Sequence, residues 1–154
     1  MAHPFFIIQD LSGSMAETGK KAAALYASKS IVGFIATYHS DVDYYLKSWS
    51  ESIEDYSSKT QAHAKGNVKE LVDFCNNNVD ASIVILTDGA LERSEARALQ
   101  RLSSHPSLSV VLIGADALDS VWAKALGKER LYVAVDALEC ARHLITNHKE
   151  SRAS

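Results

Sequence analysis

Three short apolar runs constrain the fold of this chain more than any other feature of its sequence. They are Phe5–Ile8, Ile83–Leu86 and the nearly continuous run Leu108–Ile113, and segments of helical periodicity separate them. Such runs are typical of strands that are buried on both faces, as the inner strands of a parallel sheet are. Strands that alternate with helices place those helices on both faces of the sheet. The sequence therefore predicts an α/β fold of three layers, Rossmann-like in architecture, around a mostly parallel sheet of about six strands.

The remaining segments complete the predicted order β-α-β-β-α-β-α-β-α-β-α. We predict a strand at Val42–Trp49, a charged antiparallel edge strand at Ser50–Tyr56 and a short strand at Leu131–Val135. The helical segments, which share apolar residues at three- and four-residue steps, are Glu17–Tyr38, Asn67–Asn77, Glu92–Ser103, Ser120–Leu126 and Ala137–Asn147. No repeat or linker divides the chain, so we predict a single domain, 1–148, and a disordered tail, 149–154.

Composition and charge argue against several classes of function. The net charge is −3 and no long basic block is present, which disfavours binding to nucleic acid or to anionic membranes. No apolar run approaches the roughly 20 residues of a membrane-spanning helix, and the N-terminal run is too short for a secretory signal. We therefore expect a cytoplasmic protein with Cys75 and Cys140 as reduced, partly buried thiols, although the sequence leaves a disulfide open. The six histidines are dispersed without the spacing of a zinc site, so we expect surface or terminal roles for them.

The first apolar run ends at a cluster of oxygen-bearing side chains. Asp10, Ser12 and Ser14 stand at alternate positions just before the long helical segment. A carboxylate and two hydroxyls on one tight loop are the hard ligands that Mg²⁺ and Ca²⁺ prefer. The alternative is that these side chains cap the helix that follows. Asp88 ends the fourth strand, and it meets Asp10 if the first and fourth strands are neighbours at the reversal of strand order, where such sheets bind ligands.

These motifs resemble a known family. Asp10–Met15, of sequence DLSGSM, is similar to the metal-ion-dependent adhesion site (MIDAS) of von Willebrand factor A domains. Ile83–Gly89 resembles the fourth strand of that family with its terminal aspartate, and Trp49-Ser50 stands where the family usually has Phe-Ser. The resemblance extends over nearly the whole chain in element order and length. It points to the small, stand-alone intracellular members, similar to the tellurite-resistance type.

The resemblance implies a metal site and a role in recognition. Ser12 and Ser14 would bind the ion, Mg²⁺ or alternatively Mn²⁺ or Ca²⁺, through their hydroxyls, while Asp10 and Asp88 would act largely through metal-bound water. One coordination position would remain for an Asp or Glu carboxylate of a partner protein. The implied function is a non-enzymatic adaptor or scaffold that works in larger assemblies, often with AAA+ ATPases, and that binds neither nucleic acid nor membranes.

One position departs from the family pattern. The family has a threonine ligand just before its third helix, and the matching position here is Gly66. Thr60, earlier in the same loop, is a poorly spaced substitute, and the ammonium of Lys65 beside Gly66 could compete with a cation. One alternative is therefore a metal-free scaffold with a degenerate site. Another is a Mg²⁺-dependent, haloacid-dehalogenase-like phosphatase, which needs a second carboxylate two residues after Asp10, where this chain has Ser12.

Overall fold

A six-stranded sheet lies at the centre of the structure, with its strands in the order β3-β2-β1-β4-β5-β6. This is a computed structural model that describes residues 3–17, 19–57, 65–114 and 121–153. The strands are β1 (His3–Asp10), β2 (Val42–Trp49), β3 (Ile53–Asp55), β4 (Ser82–Thr87), β5 (Leu108–Leu112) and β6 (Leu131–Val133). Paired strands are parallel except for β2 and β3, which are antiparallel. The fold class and the antiparallel edge strand predicted from the sequence are confirmed.

Helices cover both faces of this sheet. They are α1 (Lys20–Tyr38), α2 (Val68–Asn76), α3 (Ala96–Leu99), α4 (Val121–Leu126) and α5 (Ala137–Ala153). One apolar cluster buries Ile31 of α1 with Leu144 of α5, and a second cluster buries Leu71 of α2 with Trp122 of α4. These clusters form the two interfaces of a three-layer α/β/α arrangement. None of the helices in the described part of the chain is long and apolar enough to span a membrane.

The position of β1 brings the two ends of the candidate site together. β1 lies between β2 and β4 and pairs Asp10 with Trp49 on one side and Gln9 with Leu86 on the other. The strand that follows β1 in the chain lies to one side of it and the later strands β4 to β6 lie to the other, so the strand order reverses here. Such a reversal opens a crevice at the carboxyl ends of the strands. Asp10 and Asp88 therefore lie at the same edge of the sheet.

The segment predicted as one helix, Glu92–Ser103, is less regular than expected. It contains the short α3, and 3₁₀ turns flank α3 on both sides. The hydroxyls of Ser103 and Ser104 donate to the backbone carbonyls three residues before them, at 2.6 and 3.2 Å. Such side-chain bonds compete with the hydrogen-bonding pattern of an α-helix, which gives a physical reason for the tighter turn.

The last helix is longer than predicted. α5 continues to Ala153, through most of the segment 149–154 that the sequence analysis expects to be a disordered tail. Lys149 fastens this end of the helix, because its Nζ lies 3.5 Å from Asp41 Oδ2 and 3.5 Å from His39 Nδ1. These contacts join the end of the chain to the turn after α1. The single-domain boundary at residue 148 stays a prediction.

Two histidines are buried, and one of them, His105, lies far from either terminus, so the prediction of surface or terminal roles is wrong for it. His105 is 1% exposed and His3 is 7% exposed. The Nδ1 atom of His105 accepts the Ser107 backbone N–H at 3.1 Å, and its Nε2 lies 3.1 Å from the Asn78 carbonyl. This arrangement fits a neutral ring with its proton on Nε2, and burial lowers the pKa of His105.

Both cysteines are free and buried, and we expect them to resist thiol reagents in the folded protein. Burial raises the pKa of the Cys75 thiol to about 12 and that of Cys140 to about 12. Because the thiolate is the reactive form, labelling at about pH 8 should be at least roughly 100-fold slower in the native protein than in guanidinium chloride. Absorbance with an aromatic disulfide reagent measures both rates. Fast native labelling of either cysteine would contradict its burial.

Candidate metal centre

Asp10, the last residue of β1, is held by donors from two neighbouring segments. Its Oδ1 accepts the Ser12 backbone N–H at 2.7 Å, and its Oδ2 accepts the Thr87 hydroxyl at 2.6 Å. The bond from Thr87 joins the end of β4 to the end of β1, and Thr87 Oγ1 in turn accepts the Gly89 N–H at 3.1 Å. Burial raises the pKa of the Asp10 carboxyl, while the hydrogen bonds from Thr87 and Ser12 oppose that rise. A nearby cation would offset the cost of burying this carboxylate.

The hydroxyls of Ser12 and Ser14 lie next to each other, with their Oγ atoms 3.3 Å apart. A 3₁₀ turn, Gly13–Ala16, follows Ser12, and Ser12 makes no side-chain capping hydrogen bond to it. α1 begins only after Gly19 and likewise has no side-chain cap. The helix-capping interpretation of these two serines is therefore wrong. The Ser14 hydroxyl instead donates to the Asp88 carboxylate after the neighbouring strand, and the Ser12 hydroxyl lies beside it.

Asp88 follows β4 directly and meets both a serine and an ammonium group. Its Oδ1 accepts the Ser14 hydroxyl at 3.2 Å and the Ala90 backbone N–H at 3.1 Å. Its Oδ2 accepts the Lys20 ammonium at 3.1 Å. Lys20 Nζ also lies 2.9 Å from Glu17 Oε2, and the hydrogen bond to Glu17 is the main cause that raises the pKa of Lys20. Asp88 thus carries a protein cation on the side away from Ser14.

Gly66 approaches Trp49 so closely that a side chain does not fit at position 66. A Cβ there would lie 2.8 Å from Trp49 Cζ2 and 3.0 Å from Cη2. Trp49 is fully buried and stands edge-on to Trp122, and its Nε1 donates to the Asn67 carbonyl at 2.9 Å. The indole therefore fills the volume that a threonine side chain would need. The other threonine considered from the sequence, Thr60, lies outside the described residues.

The site opens onto a surface depression lined by the loops 12–14, 65–66 and 90–92. Lys65 lies on its rim, where its Nζ is 3.3 Å from Glu92 Oε1 and 3.4 Å from Glu95 Oε1. These two carboxylates engage the ammonium that the sequence analysis considered as a competitor of the metal. Lys20, and not Lys65, is the lysine whose ammonium contacts a predicted metal ligand, Asp88.

The residues at this edge of the sheet fit a hard divalent cation. The donors are all oxygens, and the spacings of 3.3 Å between the serine Oγ atoms and 3.2 Å from Ser14 Oγ to Asp88 Oδ1 are suitable. Neighbouring ligands of an octahedral Mg²⁺ lie about 3 Å apart. Among the described residues, no group of three or more His, Cys, Asp or Glu side chains is placed to hold a metal ion. An ion at this site would therefore depend on the serine hydroxyls.

The structure brings together all the residues predicted as metal ligands, which are Asp10, Ser12, Ser14 and Asp88. Two further residues, Thr87 and Lys20, bond the two carboxylates and were not predicted from the sequence. The sequence position of Thr87 could have indicated a role at the site, since this residue ends a buried strand next to Asp88. No feature of the sequence indicated a role for Lys20, because its contact with Asp88 spans 68 residues of sequence.

Comparison with solved structures relates the fold of this chain to known proteins. A manganese-loaded TRAP protein of Plasmodium vivax superposes with a TM-score of 0.72 at 11% identity over 94% of this chain and 73% of that one. A von Willebrand factor type A protein from Catenulispora acidiphila matches with a TM-score of 0.60 at 17% identity, over 96% of this chain but only 43% of that one. The VWA domain of SpRpn10 matches with a TM-score of 0.59 at 10% identity, over 86% and 87% of the two chains. No protein-family model and no curated protein sequence matches the chain.

The sheet order and the reversal at β1 define an α/β protein with a candidate ligand site at the carboxyl ends of its strands. Its fold is that of von Willebrand factor A domains. The resemblance found in the sequence is confirmed at the level of the fold.

Proposed function

We propose that this chain is a non-enzymatic protein-interaction module that binds its partner through a divalent metal ion. The ion, Mg²⁺ or alternatively Mn²⁺ or Ca²⁺, is held by Ser12 and Ser14 with Asp10 and Asp88 behind them, and a carboxylate of the partner completes its coordination. The single observation that carries the proposal is the convergence of these residues from two adjacent strand ends beneath a surface depression.

The donor set suits recognition better than tight metal storage. Two neutral hydroxyls leave the ion with most of its positive charge, and the carboxylates of Asp10 and Asp88 are engaged by donors of the chain itself. When bound, the ion supplies an electrophilic position that an anionic oxygen of a partner takes. The chain's own residues orient the hydroxyls and shape the rim around that position.

The comparison with solved structures supports the metal ion, and the sequence resemblance indicates the kind of partner. The Plasmodium vivax protein of similar fold is described as manganese-loaded, which is consistent with a divalent ion in this chain. The proposed partner is a protein that offers an Asp or Glu side chain, and the proposed setting is a cytoplasmic adaptor in a larger assembly, of the AAA+ type. Both follow from the sequence resemblance to small intracellular von Willebrand factor A proteins.

Titration calorimetry with Mg²⁺ or Mn²⁺ tests the metal site. We expect the wild-type protein to bind the ion and Ser14→Ala to weaken binding at least roughly tenfold, because it removes one of the two hydroxyl ligands. Ser30→Ala is the matched control, since the Ser30 hydroxyl donates within α1 to the Tyr26 carbonyl at 2.9 Å. Heat from the wild type no greater than that from Asp10→Ala would contradict the proposal.

Amide chemical shifts test the open coordination position. Acetate, a minimal partner carboxylate, should shift the amide signals of Gly13 and Gly66 on the rim when Mg²⁺ is present. The same acetate concentration without Mg²⁺ is the control. Equal shifts in both conditions would remove the metal from the recognition step.

A metal-free scaffold with the same fold is the second candidate function. Two observations favour it, which are the glycine at position 66 and the Lys20 ammonium on Asp88. The calorimetric experiment separates the two candidates, because the scaffold predicts no metal-dependent heat in the wild-type chain.

The phosphatase alternative has less support. The position two residues after Asp10 carries the Ser12 hydroxyl, which lies against Ser14 and cannot act as the general acid that such an enzyme needs. Turnover of generic phosphate esters that disappears in Asp10→Ala would restore this alternative.

A further inference from the structure

Lys20 places a protein cation directly on a residue of the candidate metal centre. Its Nζ lies 3.1 Å from Asp88 Oδ2, and the side chains of Lys20 and Asp88 are 20% and 2% exposed. An ion pair in which one partner is almost completely withdrawn from water is much less screened than a surface pair. The ammonium therefore lowers the net negative charge that Asp88 would offer to a metal ion.

The two oxygens of Asp88 face different partners. Oδ1 faces the Ser14 hydroxyl, on the side of the serine loop, and Oδ2 faces Lys20. A divalent ion beside Ser14 and the ammonium of Lys20 would thus draw on the same carboxylate from opposite sides. Both cations repel each other across this short span, so the presence of one weakens the binding of the other.

Lys20 also has a second acceptor within reach. Glu17 Oε2 lies 2.9 Å from its Nζ, and the Glu17 side chain is 66% exposed. The Lys20 backbone N–H donates to the Glu17 carbonyl at 3.1 Å, which keeps the two side chains on one turn. The ammonium can therefore leave Asp88 and keep a carboxylate partner at the protein surface.

We propose that Lys20 is the resident counter-ion of Asp88, which stabilises the metal-free protein and competes with the divalent ion for this carboxylate. The inference rests on the proposed function, because it concerns the affinity of the same site. Lys20 is then a positioning residue that acts through Asp88. It sets the ion concentration at which the metal site is filled and the module can bind its partner. At low concentrations of the ion, Lys20 holds Asp88. At higher concentrations the ion displaces the ammonium toward Glu17.

Calorimetric titration of Mn²⁺ into Lys20 variants tests this competition. We expect Lys20→Gln to bind Mn²⁺ roughly tenfold more tightly than the wild type. In the wild type, the ion must break the charge-assisted hydrogen bond between Lys20 and Asp88, and the variant lacks that bond. Lys29→Gln, an exposed lysine on the same helix, should leave the affinity unchanged. Lys65→Gln, on the rim of the depression, controls for a general effect of positive charge and should tighten binding less than Lys20→Gln does.

Thermal unfolding supplies a readout that does not require metal. In the presence of a chelator, Lys20→Gln should lower the melting temperature more than Lys29→Gln does, since it leaves the buried Asp88 charge without its cation. Added Mn²⁺ should then raise the melting temperature of Lys20→Gln more than that of the wild type.

The outcomes separate this inference from the proposed function. Equal Mn²⁺ affinity of the wild type and Lys20→Gln overturns the inference and leaves the metal site standing. An equal gain from Lys65→Gln also overturns it, because the effect is then general. Binding by Lys20→Gln but not by the wild type supports the competition and overturns metal-dependent recognition by the natural chain. Binding by neither overturns both.

Discussion

The Gly66→Thr variant is expected to lose stability instead of gaining a metal ligand. A Cβ at position 66 lies 2.8 Å from Trp49 Cζ2, which is closer than side chains tolerate. The indole cannot move away at low cost, because it is fully buried, stands edge-on to Trp122 and donates to the Asn67 carbonyl. Overpacking of this kind lowers the free energy of unfolding by about 1–3 kcal/mol. Urea denaturation of the variant and the wild type measures the difference.

A double-mutant cycle with Trp49→Phe identifies the clash as the cause. Phenylalanine lacks the two indole atoms nearest to the Gly66 position, so Gly66→Thr should cost less in the Trp49→Phe background by more than about 1 kcal/mol. Gly33→Ala is the matched control, since a Cβ at Gly33 meets nothing within 4 Å. That control should raise stability by about 0.5–1 kcal/mol through helix propensity. Strict additivity of the two site variants would show that Trp49 does not determine the residue at position 66.

Sequence reasoning located the departure at position 66 but could not explain it. The contact joins the end of β2 to the residue before the N-cap of α2, and it depends on the orientation of one indole ring. No local pattern reports such an orientation. The same limit applies to Lys20, whose contact with Asp88 spans 68 residues. Contacts of this kind follow from the packed fold and not from periodicity.

The fold was more predictable than the site. The inner strands β1, β4 and β5 are buried and apolar, so hydrophobicity alone marks them. Hydrophobicity does not indicate the order of these strands in the sheet. The convergence of Asp10 and Asp88 could therefore be predicted only on the condition that β1 and β4 are neighbours, and the structure shows that they are. The prediction of one regular helix around α3 was wrong for a different reason. Serine hydroxyls bond the backbone of this segment and favour 3₁₀ turns.

The carboxylates of the candidate site are satisfied by the chain itself. Asp10 accepts from the Ser12 backbone and from Thr87, and Asp88 accepts from Ser14 and Lys20. Buried acceptors of this kind stabilise a fold when all their partners are present, and they cost stability when one partner is removed. A metal ion would therefore exchange partners within a formed network, and the fold should not require the ion.

We therefore predict that Asp10→Ala destabilises the protein even when a chelator removes all divalent ions. The substitution leaves the buried Ser12 N–H and Thr87 hydroxyl without their acceptor. Each unpaired donor costs about 1–3 kcal/mol, and the released cost of burying the carboxylate offsets part of that loss. We expect a net decrease of about 2 kcal/mol in the free energy of unfolding, measured by urea denaturation in chelator.

Two further variants decide whether the orphaned donors cause this loss. Asp80→Ala removes an exposed carboxylate from the turn before β4 and should change stability by no more than about 0.5 kcal/mol. Adding Thr87→Val to Asp10→Ala removes one orphaned donor together with its former acceptor, so the double variant should lose less than the sum of the single variants. An Asp10→Ala protein as stable as the wild type in chelator would mean that Asp10 serves the ion alone. In that case the chain would keep a buried carboxylate that contributes nothing to its own fold, and the metal site would be the only physical reason for Asp10 at the end of β1.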